Sequence, residues 1–141
     1  MDPAGTFTLR EHTADVAVEA DGPSIDAAFG AVADGLAAAM AESVPEVGDR
    51  FSFSVRAESR EALLFDYLDQ LIYERDVRSV LPVDNAAAVS TDRDEWVVEA
   101  SARGVPFAAA AGARDVKAVT YSEMELGETA DGWRAYVVFD V

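Results

Sequence analysis

Apolar and polar residues alternate along several short stretches of the chain, and this period of two is typical of strands with one buried face. The clearest stretch is 50–58, where apolar residues occupy nearly every second position. The same pattern predicts further strands at 6–9, 16–20, 80–83, 86–91, 96–103, 116–126 and 133–141. Asp131-Gly132 between the last two favours a hairpin. Thr91 to Glu95 predicts a charged turn, and Gly104 is expected to end the strand before it.

Two other stretches carry apolar residues at spacings of three and four, which predicts amphipathic helices. The first runs from Ser24 to Met40, and the second follows Ser59; each serine is expected to be the N-cap. The apolar stripe of the second helix consists of Leu64, Leu68, Leu71 and Ile72. We expect a loop at 44–49 and a loop or weak helical turn at 105–113. The pattern predicts one α+β domain over 1–141, with two helices packed on a largely antiparallel β-sheet.

The composition is strongly acidic, with 27 Asp and Glu against 11 Lys and Arg and a net charge of −16. The acids are spread along the whole chain, and Lys117 is its single lysine. An even excess of this kind indicates a halophilic, salt-adapted surface, because concentrated salt screens the repulsion. No basic patch or glycine-rich phosphate loop occurs in the sequence, so we expect no direct nucleic-acid binding.

Cysteine is absent, which excludes disulfides and thiolate metal sites. No apolar run reaches the ~20 residues that a membrane-spanning helix needs. The acidic start of the chain is unlike a signal peptide. We therefore expect a soluble, cytoplasmic protein that does not enter membranes.

The candidate chemistry lies in Glu11-His12-Thr13-Ala14-Asp15, a polar elbow between two strand-like runs, and at the end of the chain. Asp15 and Asp140 both stand at strand ends among apolar residues, where an unpaired charge is costly. A hard cation such as Ca²⁺, Mg²⁺ or Mn²⁺ between them would remove that cost, with the carboxylate of Val141 as a further ligand. Alternatively, Asp15 caps a turn and Asp140 is a solvated terminal residue.

Other roles are open to the remaining polar residues. His12 is expected to support the elbow, because an imidazole is a poor sole ligand in a site of hard oxygens. Lys117 can form a structural ion pair or provide a point charge near the carboxylates or a phosphate. A free-standing metal-dependent hydrolase that uses His12, Asp15 and Asp140 is an alternative function. A cation that only fixes the C-terminus is a third.

Three parts of the chain resemble the archease family: Glu11–Asp15, the helical stretch Leu63–Tyr73, and Val116–Tyr121 together with Val137–Val141. The resemblance implies a small α+β protein that activates an RtcB-type tRNA-splicing RNA ligase and is not itself an enzyme. Such proteins promote metal- and GTP-dependent guanylylation of the ligase and its multiple turnover. The ligase, rather than this chain, would use the GTP.

The resemblance also implies which residues form the site. It places the divalent cation on Asp15, Asp140 and Val141. The chain departs from its relatives at Ser122, where histidine is common. We expect supporting or partner-facing roles for His12, Thr13, Lys117 and Thr120.

Overall fold

The computed structural model describes residues 4–12, 15–112 and 114–141. In this part of the chain there are seven strands, two α-helices and a 3-10 turn at Phe107–Ala109. The strands are β1 (Thr6–His12), β2 (Asp15–Gly22), β3 (Asp49–Ala57), β4 (Val80–Asp92), β5 (Glu95–Pro106), β6 (Ala118–Thr129) and β7 (Gly132–Asp140). The helices are α1 (Ile25–Met40) and α2 (Arg60–Arg78).

The strands form two antiparallel sheets, with the orders β1-β2-β7-β6 and β3-β5-β4. Helix α1 contacts β2 and β4, and α2 contacts β6 and β3, so each helix packs against both sheets. Helix α1 carries apolar residues on nearly all sides, and most of its residues are buried. A helix of this kind needs more than one surface to cover it. The predicted α+β fold is confirmed, with its strands divided between two sheets.

Both helices begin where their serines predict. The hydroxyl of Ser24 accepts a hydrogen bond from the amide of Ala27, and that of Ser59 accepts one from Ala62, each at 3.1 Å. These bonds satisfy amides of the first turn that have no partner inside the helix.

Close packing between α1 and β2 depends on Gly35. A Cβ at this position would lie 2.5 Å from Cγ1 of Val18, closer than two carbon atoms can approach. The glycine weakens the helix by about 1 kcal/mol relative to alanine, but it allows the helix to sit directly on the strand.

The centre of the core is aromatic. Tyr67 of α2 is fully buried and stacks on Phe29 of α1 and on Phe53 of β3, with ring centroids 5.7 Å and 5.9 Å away. These contacts connect both helices to the three-stranded sheet.

A second contact connects the sheets at the start of α2. The guanidinium carbon of Arg60 lies 5.7 Å from the ring centroid of Trp96 in β5 and 5.1 Å from that of Trp133 in β7. Each distance is within the range of a cation–π interaction. One arginine therefore contacts an indole from each sheet.

The prediction that Gly104 ends a strand is wrong. Strand β5 continues to Pro106, and Gly104 pairs with Asp49 on one side and Pro82 on the other. A Cβ on Gly104 would lie 3.1 Å from the side chain of Val80. The glycine allows this close approach and does not interrupt the ladder.

Two further stretches differ from the predictions in detail. The extended pieces at 80–83 and 86–91 belong to one strand, β4, with a bulge at Asp84 and Asn85 where Asp84 has φ 48°. The stretch 105–113 starts as the end of β5 and continues into the 3-10 turn. The predicted turn after Thr91 is confirmed, with positive φ at Arg93 and Asp94.

In the described residues, neither helix has the length and apolar character that a bilayer-spanning segment requires.

Candidate functional site

Asp15 and Asp140 are direct neighbours in the four-stranded sheet. Strand β2 begins at Asp15, β7 ends at Asp140, and the antiparallel register places the two residues opposite each other. Directly opposed residues have Cβ atoms about 4.5–5.5 Å apart, and like charges in such a pair repel. The structure thus brings together two carboxylates that the sequence places at opposite ends of the chain.

The strands extend further into the predicted elbow than expected. Glu11 and His12 belong to β1, where Glu11 pairs with Val16 and His12 with Asp15. Strand β1 lies at the edge of its sheet, so the ladder supplies partners for those backbone groups that point towards β2. Thr13, and Ala14 beside it, lie outside the described residues.

The two aspartates occupy the outer face of the sheet at its end. Side chains alternate along the strands, so the next pair on the same face is Ala17 and Val138, and both of these are buried. Asp15 is half-buried and Asp140 is exposed. Val141 turns the other way and packs against the hydrophobic core. The carboxylate pair is therefore accessible from solvent.

Strand β6 supports Asp140 from the other side. The amide of Lys117 donates a hydrogen bond to the carbonyl of Asp140 at 2.8 Å, and Ala118 pairs with the same residue. The hydroxyl of Thr120 donates to the carbonyl of Val138 at 3.0 Å. The backbone of Lys117 and the side chain of Thr120 thus bond the end of β7, and the supporting or partner-facing roles of these residues stay predictions.

The oxygen atoms at this end of the sheet suit a hard cation. Carboxylate oxygens are preferred by Ca²⁺, Mg²⁺ and Mn²⁺, and a cation between Asp15 and Asp140 would offset the repulsion of the pair. Within residues 4–12, 15–112 and 114–141, no three His, Cys, Asp or Glu side chains gather in a metal-binding group. A cation here would need oxygens beyond the two side chains, for which Val141 remains the predicted source.

Sequence reasoning missed a buried arginine behind the site. Arg75 is only 7% exposed, and its guanidinium donates to the carbonyl of Val116 at 2.6 Å and contacts Sδ of Met40 at 3.3 Å. Val116 immediately precedes Lys117, so Arg75 holds the segment that leads to β6 and whose next residue bonds the carbonyl of Asp140. A signal existed in the sequence, because position 75 lies four residues after Leu71 and continues the apolar stripe of α2.

A polar cluster between α1 and the β4 bulge was also missed. Oδ1 of Asp34 accepts bonds from the backbone amide of Asn85 at 3.0 Å and from its side chain at 2.9 Å. Burial raises the pKa of Asp34, although the bonds from Asn85 act in the opposite direction. The cluster ties α1 to the bulge. Nothing in the helical pattern distinguishes Asp34 from a solvated acid.

The fold and the site together define a class: a small α+β protein with two helices packed against two antiparallel sheets and an acidic pair at one end of a sheet. The model of the archease protein family matches residues 7–141. The chain therefore belongs to the archease family, as the resemblance predicted.

Individual relatives agree with this assignment. The chain is similar to the protein archease of Thermococcus gammatolerans, at 32% identity over 93% of this chain and 95% of the relative. It is 30% identical to the protein archease of Methanosarcina acetivorans, over 96% of this chain and 95% of that protein.

Solved structures share the fold. The solution structure of Methanobacterium thermoautotrophicum protein 1598 matches with a TM-score of 0.79 at 25% identity, covering 96% of this chain and 98% of that one. The crystal structure of an archease and possible chaperone from Thermotoga maritima matches with a TM-score of 0.64 at 22% identity, covering 95% and 96%. The second likeness concerns the fold alone.

Proposed function

We propose that this chain is an accessory protein that activates an RtcB-type tRNA-splicing RNA ligase, promoting metal- and GTP-dependent guanylylation of the ligase and its multiple turnover. Membership of the archease family supports the proposal. The observation that carries it is the opposed pair of Asp15 and Asp140 at the solvent-exposed end of the sheet. The chain would be an activator and not an enzyme, and GTP would be bound by the ligase.

In this proposal Asp15 and Asp140, together with Val141, hold a divalent cation at the end of the sheet. When bound, the cation would supply a positive charge, which attracts phosphate groups such as those that react in guanylylation. Lys117 and Thr120 keep the end of β7 in place through the bonds to Asp140 and Val138. The exposed aspartate end would approach the ligase, and the side chain of Lys117 would face the partner.

The test is guanylylation of the ligase with and without this protein, in high salt and with Ca²⁺, Mg²⁺ or Mn²⁺ in turn. We expect Asp15→Ala and Asp140→Ala each to abolish the stimulation while the thermal unfolding temperature stays close to that of the wild type. Asp131→Ala is the matched control, because it removes an exposed aspartate beside β7 at the other end of the strand. Full stimulation by both site variants would refute the proposed site.

Two further measurements separate the alternatives. Sustained, metal-dependent turnover of phosphoesters in the absence of any partner would favour a hydrolase that uses the same carboxylates. If the cation only fixes the end of the chain, deleting Val141 should lower the unfolding temperature without a specific effect on the ligase. In that case added divalent cation should raise the unfolding temperature of the wild type but not that of Asp140→Ala.

A further inference from the structure

The solvent face of α2 carries the most exposed large apolar side chains in the part of the chain that the structure describes. Tyr73 and Val77 are 56% and 62% exposed, and Tyr121 of β6, 57% exposed, stacks on Phe65 of the helix. The other exposed large apolar side chains are all less than half exposed. We call Phe65, Tyr73, Val77 and Tyr121 the docking face.

The docking face follows the length of α2. Phe65, Asp69, Tyr73 and Val77 succeed one another at intervals of four residues, so each neighbours the next on the helix surface, and the acid Asp69 lies between the two aromatic residues. The rings of Phe65 and Tyr121 are parallel, with centroids 4.0 Å apart and an interplanar angle of 3°. Single apolar residues on a surface are ordinary, whereas apolar residues collected in one place mark an interaction site.

Two acids of α2 stand beside the aromatic pair: Asp66 follows Phe65 directly, and Asp69 lies one turn further along the helix. Burial and then the charge of Asp69 raise the pKa of Asp66, and burial and then the charge of Asp66 raise the pKa of Tyr121. The carboxylates of Asp66 and Asp69 therefore repel each other beside an open tyrosine ring. Asp76, further along the helix, is paired with Arg75 at 2.9 Å. A positive group placed at Asp66 would relieve the repulsion and would also lie against the ring.

We propose that the docking face binds an arginine-bearing segment of a partner protein, with a guanidinium on the ring of Tyr121 beside Asp66 and with apolar neighbours on Tyr73 and Val77. A guanidinium is planar, stacks on aromatic rings and can bond a carboxylate with two N–H groups at once, which the ammonium of lysine cannot do. The surface lies on α2 and β6 and does not depend on the cation site or on the identity of the ligase.

The test uses a short dye-labelled peptide that alternates arginine with leucine, and the same peptide with lysine in place of arginine. Binding to the full chain is measured by fluorescence anisotropy in ~1 M salt, where the screening length of about 3 Å suppresses general attraction to the acidic surface. We expect the arginine peptide to bind roughly two- to fivefold more tightly than the lysine peptide, because either cation can lie on the ring but only the guanidinium can also bond Asp66 with two N–H groups. Tyr121→Ala and Asp66→Asn should remove the preference for arginine over lysine, and Tyr73→Ser should weaken the binding of both peptides.

Matched controls are available elsewhere on the surface. Asp131→Asn removes one exposed charge and Val47→Ser removes one exposed apolar side chain, and neither should change binding. Equal affinity for the two peptides, or equal losses in the controls, would overturn the proposal. A dimer seen by light scattering that Tyr73→Ser dissolves would assign the face to a second copy and would overturn it too. If Tyr121→Ala lowers the unfolding temperature strongly, Tyr73→Ser and Asp66→Asn decide the outcome.

Discussion

Replacing Arg75 with methionine tests whether a buried guanidinium holds the segment that leads to β6. Methionine keeps an unbranched apolar stem in the same space but removes every N–H donor. The carbonyl of Val116, a fully buried residue, then loses its bond of 2.6 Å from a charged donor.

The expected magnitude follows from these contacts. Leaving a buried acceptor without its partner costs about 1–3 kcal/mol. The ion pairs of Arg75 with Asp76 and Asp115 add little, because these two acids are 65% and 71% exposed. We therefore expect Arg75→Met to lower the free energy of unfolding by about 1–3 kcal/mol.

Urea unfolding at constant high salt measures this change, with the slope of the transition checking that the unfolded state is unaltered. Arg56→Met is the matched control, because it breaks an exposed ion pair with Asp92 at 2.8 Å, and such surface pairs contribute little to stability. Arg75→Lys, which retains a charged donor, should recover part of the loss. If Arg75→Met is no more destabilising than the control, the guanidinium does not hold Val116 in the way described.

Three other substitutions test the core, a buried acid and a turn. Tyr67→Phe should be neutral or stabilising in thermal unfolding, because the buried hydroxyl has no partner among the described residues; a loss above about 1 kcal/mol would contradict this. The pKa of Asp34 is raised above its ordinary value of 3.8 in the native state, so the native state holds this proton more tightly than the unfolded state. The stability that the proton contributes is therefore lost as the pH rises from the unfolded pKa through the native pKa. Asp34→Asn should lack that part of the pH dependence in urea titrations at several acidic pH values, and an unchanged profile would refute the assignment. Gly132→Ala should lower the free energy of unfolding by about 1–3 kcal/mol, because φ is 151° and a Cβ would overlap the carbonyl of Gly22. Gly127→Ala is the neutral control in the same melting experiment, because no atom lies within 4 Å of the new Cβ.

Local patterns predicted most of the elements, because each depends on neighbouring residues only. The spacing of apolar residues and the caps Ser24 and Ser59 define both helices, and alternation defines the strands. The division into two sheets depends on which strands pair across long separations, and periodicity carries no information about that. Gly104 was misread for a related reason: the contact that requires a glycine is with Val80, on another strand.

The candidate site was predictable only in part. Apolar neighbours identified Asp15 and Asp140 as unusual acids, but their pairing is a property of the β2–β7 register. From the residues alone, a turn-capping Asp15 and a solvated Asp140 are the favoured interpretation, and the resemblance to the family reverses that preference. Arg75 was within reach of the sequence, because it continues the stripe of α2; its partner Val116 was not, since that contact joins distant parts of the chain.

The contact of Arg60 with Trp96 and Trp133 makes the intrinsic fluorescence of the protein a reporter of how the two sheets are packed. Both tryptophans of the chain lie at this one guanidinium, where the two sheets meet. Trp133 stands near the start of β7 and Asp140 at its end, about 23 Å away at the usual rise of a strand. Intrinsic fluorescence should therefore respond when the sheets separate and remain silent when a cation binds. A fluorescent probe attached near Asp140 should respond when a cation binds and remain silent when the sheets separate. A single sample can therefore distinguish loss of the site from loss of the fold.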